Sequence, residues 1–161
     1  MGYSTDFDGR LNINKPVDAE TEKVLVGLNT TRRIKRNVDE ALYGVEGEFY
    51  FEGKGCFGQD EEENVIDYNC PPRTQPNLWC AWCLAGDNQG IVWDGGEKFY
   101  DYVEWLQYIR DSILTPRGYT LESGNIEWQG EEMGDRGLIT AKDNKIFVQY
   151  GVGSYGEKNA I

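Results

Sequence analysis

The stretch from Trp93 to Gly137, WDGGEKFYDYVEWLQYIRDSILTPRGYTLESGNIEWQGEEMGDRG, constrains the fold more than any other part of the chain. Phe99, Tyr102, Val103, Leu106, Ile109 and Ile113 recur at steps of three and four. That spacing puts them on one helical face and predicts a helix over residues 97–114. Glu97 and Asp101 fall in its first turn, where the helix dipole favours negative charge, and Pro116 and Gly118 end it. Residues 120–129 then favour strand, with Ile126 and Trp128 on one side and Glu127 on the other. Gly130 to Gly137 is a glycine-punctuated turn that carries Glu131, Glu132, Asp135 and Arg136. Strand resumes at Leu138, turns at Asp143-Asn144, and returns through Lys145 to Tyr150.

Three motifs carry a family resemblance: PPRTQPNLWCAW (Pro71 to Trp82), WDGGEKFYDYVEWLQY (Trp93 to Tyr108) and GNIEWQGEEMGDRG (Gly124 to Gly137), with GYSTDF at Gly2 to Phe7. With these motifs the chain resembles a family of small proteins found mainly in phages and bacterial genomes. The resemblance runs from Asn69 to about Gln149. The family has no established activity, so the resemblance implies a phage or prophage source and transfers no functional residue.

The first half repeats the alternation of strand and helix. Tyr3 to Asn14 reads as a strand with Gly9 as a bulge, and Asp18 is a good N-cap for a helix carrying Thr21, Val24, Leu25 and Leu28. A second short helix is expected around Val38 to Tyr43, and GEFYFEG (Gly47 to Gly53) reads as a strand. Residues 54–77 form a long glycine-, acid- and proline-rich insertion, and loops of that length are more often functional or mobile than core. Leu78 to Ala85 and Gly90 to Trp93 read as strands joined by a turn at Asp87 to Gly90. The order β-α-β-β-α-β predicts an α+β, ferredoxin-like antiparallel sheet with both helices on one face and extra C-terminal strands. At this length residues 1–150 make a single domain, and residues 151–161 a flexible tail. Gly151 to Gly156 has dinucleotide-fingerprint spacing, but no helix follows it.

With no histidine among the 161 residues, Ser-His-Asp and Cys-His catalysis are excluded, as is any histidine-containing metal site. There is no phosphate-binding loop of the Gly-Lys-Ser/Thr type. No apolar run approaches membrane-spanning length, and Met1 to Asp6 has no leader-like pattern, so a cytoplasmic protein is expected, in the host cell if phage-encoded. The formal net charge of −12 opposes direct binding to nucleic-acid phosphates. It suits plain solubility, or a host protein with a basic surface. Arg32, Arg33, Lys35 and Arg36 are the one basic cluster and are expected to solvate the end of the preceding helix, an anion pocket being the alternative.

Three groups carry the candidate chemistry. Cys80 and Cys83, with Cys56 and Cys70 upstream, admit a zinc site, but residues three apart on a strand point to opposite faces, so free thiols and no cofactor are expected. Glu131, Glu132 and Asp135 would serve a divalent cation or acid-base work, against the simpler reading of a solvated turn in which Arg136 pairs with a neighbour. Arg73, Trp79 and Tyr68 combine the residue types that anchor interfaces and stack bases. The leading expectation is a non-enzymatic protein that binds a host protein, such as a defence component, through the open sheet face and residues 69–79. The alternatives are a binder of a small nucleotide-like ligand and a carboxylate- and metal-dependent enzyme.

Overall fold

Strand β1, Thr5–Ile13, runs through the middle of the molecule with Thr5, Phe7, Leu11 and Ile13 buried and Asp6 and Asp8 exposed. The computed structural model describes residues 2–56, 59–151 and 158–160, the last as backbone. Helix α1 spans Ala19–Thr30 and starts where expected, the Asp18 carboxylate accepting from the Thr21 amide at 2.8 Å. Two-residue β2 (Lys35–Arg36), short α2 (Glu40–Tyr43) and β3 (Val65–Asp67) follow. Then come β4 (Trp82–Leu84), β5 (Gly90–Trp93), α3 (Tyr102–Tyr108), β6 (Leu121–Gly130), β7 (Arg136–Lys142), β8 (Lys145–Tyr150) and β9 (Lys158–Ala160).

The fold is α+β. One seven-stranded sheet has the order β4-β5-β1-β6-β7-β8-β9, and every pairing in it is antiparallel. The connection β1 to β4 passes through α1, and that from β5 to β6 through α3. Leu25 and Leu28 of α1 share one buried cluster with Val103, Trp105 and Leu106 of α3 and with Phe7, Leu11, Ile13, Ile91, Leu121, Ile126, Ile139 and Ile146 of the sheet. Fully burying an aliphatic side chain of this size contributes roughly 1.5–3 kcal/mol. At one end of this core Phe7 sits at the centre of an aromatic nest, 5.0 Å from the rings of both Trp82 and Tyr102 and 5.5 Å from Trp93.

Five expectations need correction. The helix starts at Tyr102 instead of residue 97, because Lys98 and Asp101 hold left-handed backbone at φ 58° and 56°. Asn77 Nδ2 donates to the Asp101 carboxylate at 2.9 Å, and Asp101 O accepts the Trp105 amide to open the helix. The helix then widens into a π turn over Ile109–Leu114 and ends on Gly118 at φ 84°. Gly9 is no bulge: it pairs in register with Ile126, and its φ of 116° accompanies a close backbone approach to Asn125 that a side chain would block. The register shift lies at Asn12/Ile13.

Gly47 to Gly53 is not a strand, for a 3-10 turn over Val45–Gly47 ends at left-handed Gly47 and residues 48–53 stay irregular. The strand expected from Leu78 narrows to Trp82–Leu84. Within the 54–77 insertion, β3 pairs with β2 to form a separate two-stranded ribbon. The flexible-tail expectation falls for the most part outside the described residues; Lys158–Ala160, which are described, pair with β8. Among the described residues no helix is long and apolar enough to cross a membrane.

Candidate functional site

The basic cluster is the largest departure from expectation. Arg33 and Arg36 do not solvate the end of α1; each is 1% exposed. Arg33 Nη2 donates to the carbonyls of Glu48 at 3.0 Å and Tyr50 at 3.2 Å, with Gly47 O at 3.4 Å. Its Nε donates to Gln75 Oε1 at 3.2 Å, and its Nη1 to Thr31 Oγ1. Burial holds its pKa down, to about 10, so the group stays charged at neutral pH. Arg36 lies over the Tyr50 ring at 4.3 Å and donates to Gln59 O at 2.8 Å. The positions an anion would take around Arg33 are filled by the chain's own carbonyls. These contacts pin Gly47, Glu48, Tyr50, Gln59 and Gln75 onto the domain, and Gln75 and Glu48 continue them to the Tyr108 hydroxyl of α3.

Two of the three residues expected to anchor a partner from this side are held by the chain itself. The Tyr68 ring lies under the Arg32 guanidinium at 4.3 Å, and Tyr68 O accepts from Arg32 Nε. Arg73 is two-thirds exposed, pairs with Glu46 Oε1 at 3.5 Å, and donates its amide to Glu46 Oε2 at 2.8 Å. Trp79 is half-buried and precedes β4.

In the acidic turn, two of the three carboxylates hold the N-terminal segment. Asp135 Oδ2 accepts from the Tyr3 hydroxyl at 2.7 Å and Oδ1 from Trp128 Nε1 at 3.1 Å. Glu131 Oε1 accepts from the Ser4 amide at 2.8 Å. Glu132 is exposed, and its backbone carbonyl accepts from Gln129 Nε2. Among the described residues no group of three or more carboxylates or thiols is placed to hold a metal ion. The four thiols are free. Cys80 is buried, and burial pushes its thiol pKa far up, whereas Cys83 is half-buried and lies opposite Val92 on the other side of the sheet from Trp82's neighbours in the core.

Arg136 does not pair with a neighbour in that turn. It belongs to the sheet face that the helices leave open. There Asp8 lies directly opposite Glu127, and Glu127 opposite Leu138, which faces Gln149. In the adjoining row Asp6 lies opposite Gln129, and Gln129 opposite Arg136. The face is concave, with a cavity of about 500 Å³ lined by these side chains. Asp6, Asp8 and Glu127 are exposed, and the ion pairs among the described residues include none of them. Arg136 is half-buried with its Nε fully enclosed and without an acceptor.

The burial of Arg33 and Arg36 has no local sequence signal, because their acceptors come from distant residues. The open-face acids do have one: in Thr5-Asp6-Phe7-Asp8 the strand period puts both aspartates on the side away from Phe7. Comparison with family models, with curated protein sequences and with solved structures finds no match to this chain.

Proposed function

We propose that this protein acts by binding, without turnover, a protein partner with a basic surface, and that the open face of β1, β6, β7 and β8 is where it binds. The observation that carries this is the cross-strand pair Asp8 and Glu127, with Asp6 beside it, exposed and with no cation in ion-pair range. Like charges directly opposite on a sheet oppose folding, and a partner's cation removes that repulsion on docking. The net charge of −12 adds long-range steering toward a basic surface. The motifs at Pro71 to Trp82, Trp93 to Tyr108 and Gly124 to Gly137 support a phage or prophage source, which makes a host protein the natural partner. The β4-β5-β1-β6 order, with α1 and α3 as its crossovers, supports reading the domain's core as ferredoxin-like.

The test is affinity capture from bacterial lysate with the wild type and with the triple variant Asp6→Asn, Asp8→Asn, Glu127→Gln. A basic protein retained stoichiometrically by the wild type, released by salt and lost by the folded variant is the expected result. Equal retention by the variant would place the interface elsewhere, with Arg73→Ala, Trp79→Ala as the next variant to lose it.

A further inference from the structure

Four charged side chains line the cavity on the open face, and none of them pairs with another. Three are acids, Asp6, Asp8 and Glu127, gathered on β1 and β6. The fourth is Arg136 on β7, whose Nε is enclosed without an acceptor. Asp6, Gln129 and Arg136 stand in one cross-strand row, so Asp6 and Arg136 are two strand spacings apart, roughly 10 Å. Arg136 makes no ion pair with Glu127 of the next row, although both line the same cavity. The cavity is therefore dipolar, with its acids on β1 and β6 and its one cation on β7, while Arg10 further along the same side of β1 is paired with Asp87. The enclosed Nε is out of a partner's reach, so what Arg136 offers to an occupant of the cavity is the terminal end of its guanidinium, which has no ion-pair partner. Basic side chains alone would satisfy the acids and leave Arg136 as it is, or repel it.

We infer that the occupant of this face is a segment of a partner protein that carries both signs: a basic side chain that enters between Asp8 and Glu127, and a carboxylate that meets Arg136 about 10 Å away. This rests on the binding reading given above and adds to it the partner's charge order. A carboxylate suits Arg136 because guanidinium and carboxylate match in planar two-point geometry. The arrangement also fixes direction. A segment laid across the face in reverse would bring its base to Arg136 and its acid to Asp8 and Glu127, two like-charge contacts at once.

The experiment uses two acetylated and amidated peptides as probes, Arg-Ser-Gly-Asp and Arg-Ser-Gly-Ala, titrated into the isotope-labelled full chain at moderate salt and followed by amide chemical shifts. The first peptide has no net charge and the second is cationic, so bulk attraction to an acidic protein favours the second. The expected result is the opposite order: the Asp peptide binds about fivefold more tightly, with shifts centred on β1, β6 and Arg136. In Arg136→Gln the preference disappears, while the Ala peptide binds at least as well as before. Equal or tighter binding of the Ala peptide to the wild type, with shifts still on β1 and β6, would overturn the dipolar occupant and leave the basic-partner reading standing. If neither peptide moves those amides, or the shifts spread over all acidic surfaces, both readings fall. The comparison of the two peptides on the wild type decides the question even where Arg136→Gln does not fold.

Discussion

The Tyr3 hydroxyl reaches Asp135 at 2.7 Å across 132 residues of chain, and the same oxygen accepts the Glu132 amide at 3.0 Å. One phenol thus closes the acidic turn over the start of β1. Tyr3→Phe removes both contacts and keeps the ring. We expect the Glu132 amide to exchange with solvent markedly faster, with amides of α3 unchanged. Hydrogen exchange read by mass spectrometry or NMR checks this; unaltered exchange in the turn would mean that the phenol does not hold it.

Arg33→Met should be among the most destabilising single changes in the chain. It fills similar space but strips the donors from Glu48 O, Tyr50 O and Gln75 Oε1 in a buried site. Each buried acceptor left alone costs about 1–3 kcal/mol, so a loss of roughly 3 kcal/mol or more is expected in denaturant unfolding. Arg33→Lys should recover only part of it, since an ammonium cannot reproduce the guanidinium fork.

Asp8→Asn should raise stability while weakening partner capture. Across β1 and β6 it converts a like-charge pair with Glu127 into a neutral-charged one, a gain of roughly a few tenths of a kcal/mol. A thermal melt and a binding assay on the same preparation read the two effects. A variant that binds as well as the wild type, whether or not it melts higher, would speak against the open face.

Asp18 links stability to pH. Its folded pKa lies below the ordinary carboxylate value, chiefly because its side chain accepts the Thr21 backbone amide at the start of α1. A depressed carboxylate pKa means stabilisation that is present above the unfolded value and lost as pH falls through the folded one. Asp18→Asn keeps a capping oxygen and removes the titration. The wild type should therefore melt above the variant at neutral pH, and the gap should close under acid. A gap that persists or widens on acidification would contradict the assignment.

Periodicity located what lies on a regular element with one buried face. Of the stripe Phe99, Tyr102, Val103, Leu106, Ile109 and Ile113, all but half-buried Tyr102 are buried, although Phe99 gets there from a loop. The start of α3 was illegible because left-handed backbone at Lys98 and Asp101 is set by contacts such as Asn77 to Asp101. GEFYFEG alternates like a strand, yet Gly47, Glu48 and Tyr50 turn their carbonyls to Arg33 instead of to a neighbouring strand. The candidate site was half legible. The sequence puts Glu127 on the face of β6 opposite Ile126 and Trp128 and offers Arg136 as a candidate, but Asp6 and Asp8 matter only through the pairing of β1 with β6, which no local pattern announces.

The acceptors gathered on Arg33 come from residues 31, 47, 48, 50 and 75, and Arg36 adds residue 59. A loop fastened at several points by separate side chains would fray one point at a time. Here one guanidinium is shared by residues 31, 47, 48, 50 and 75, so withdrawing any one of them exposes the charge and weakens the rest. The segments that meet at Arg33 are therefore built to open together or not at all, and their slowest-exchanging amides should share one opening free energy.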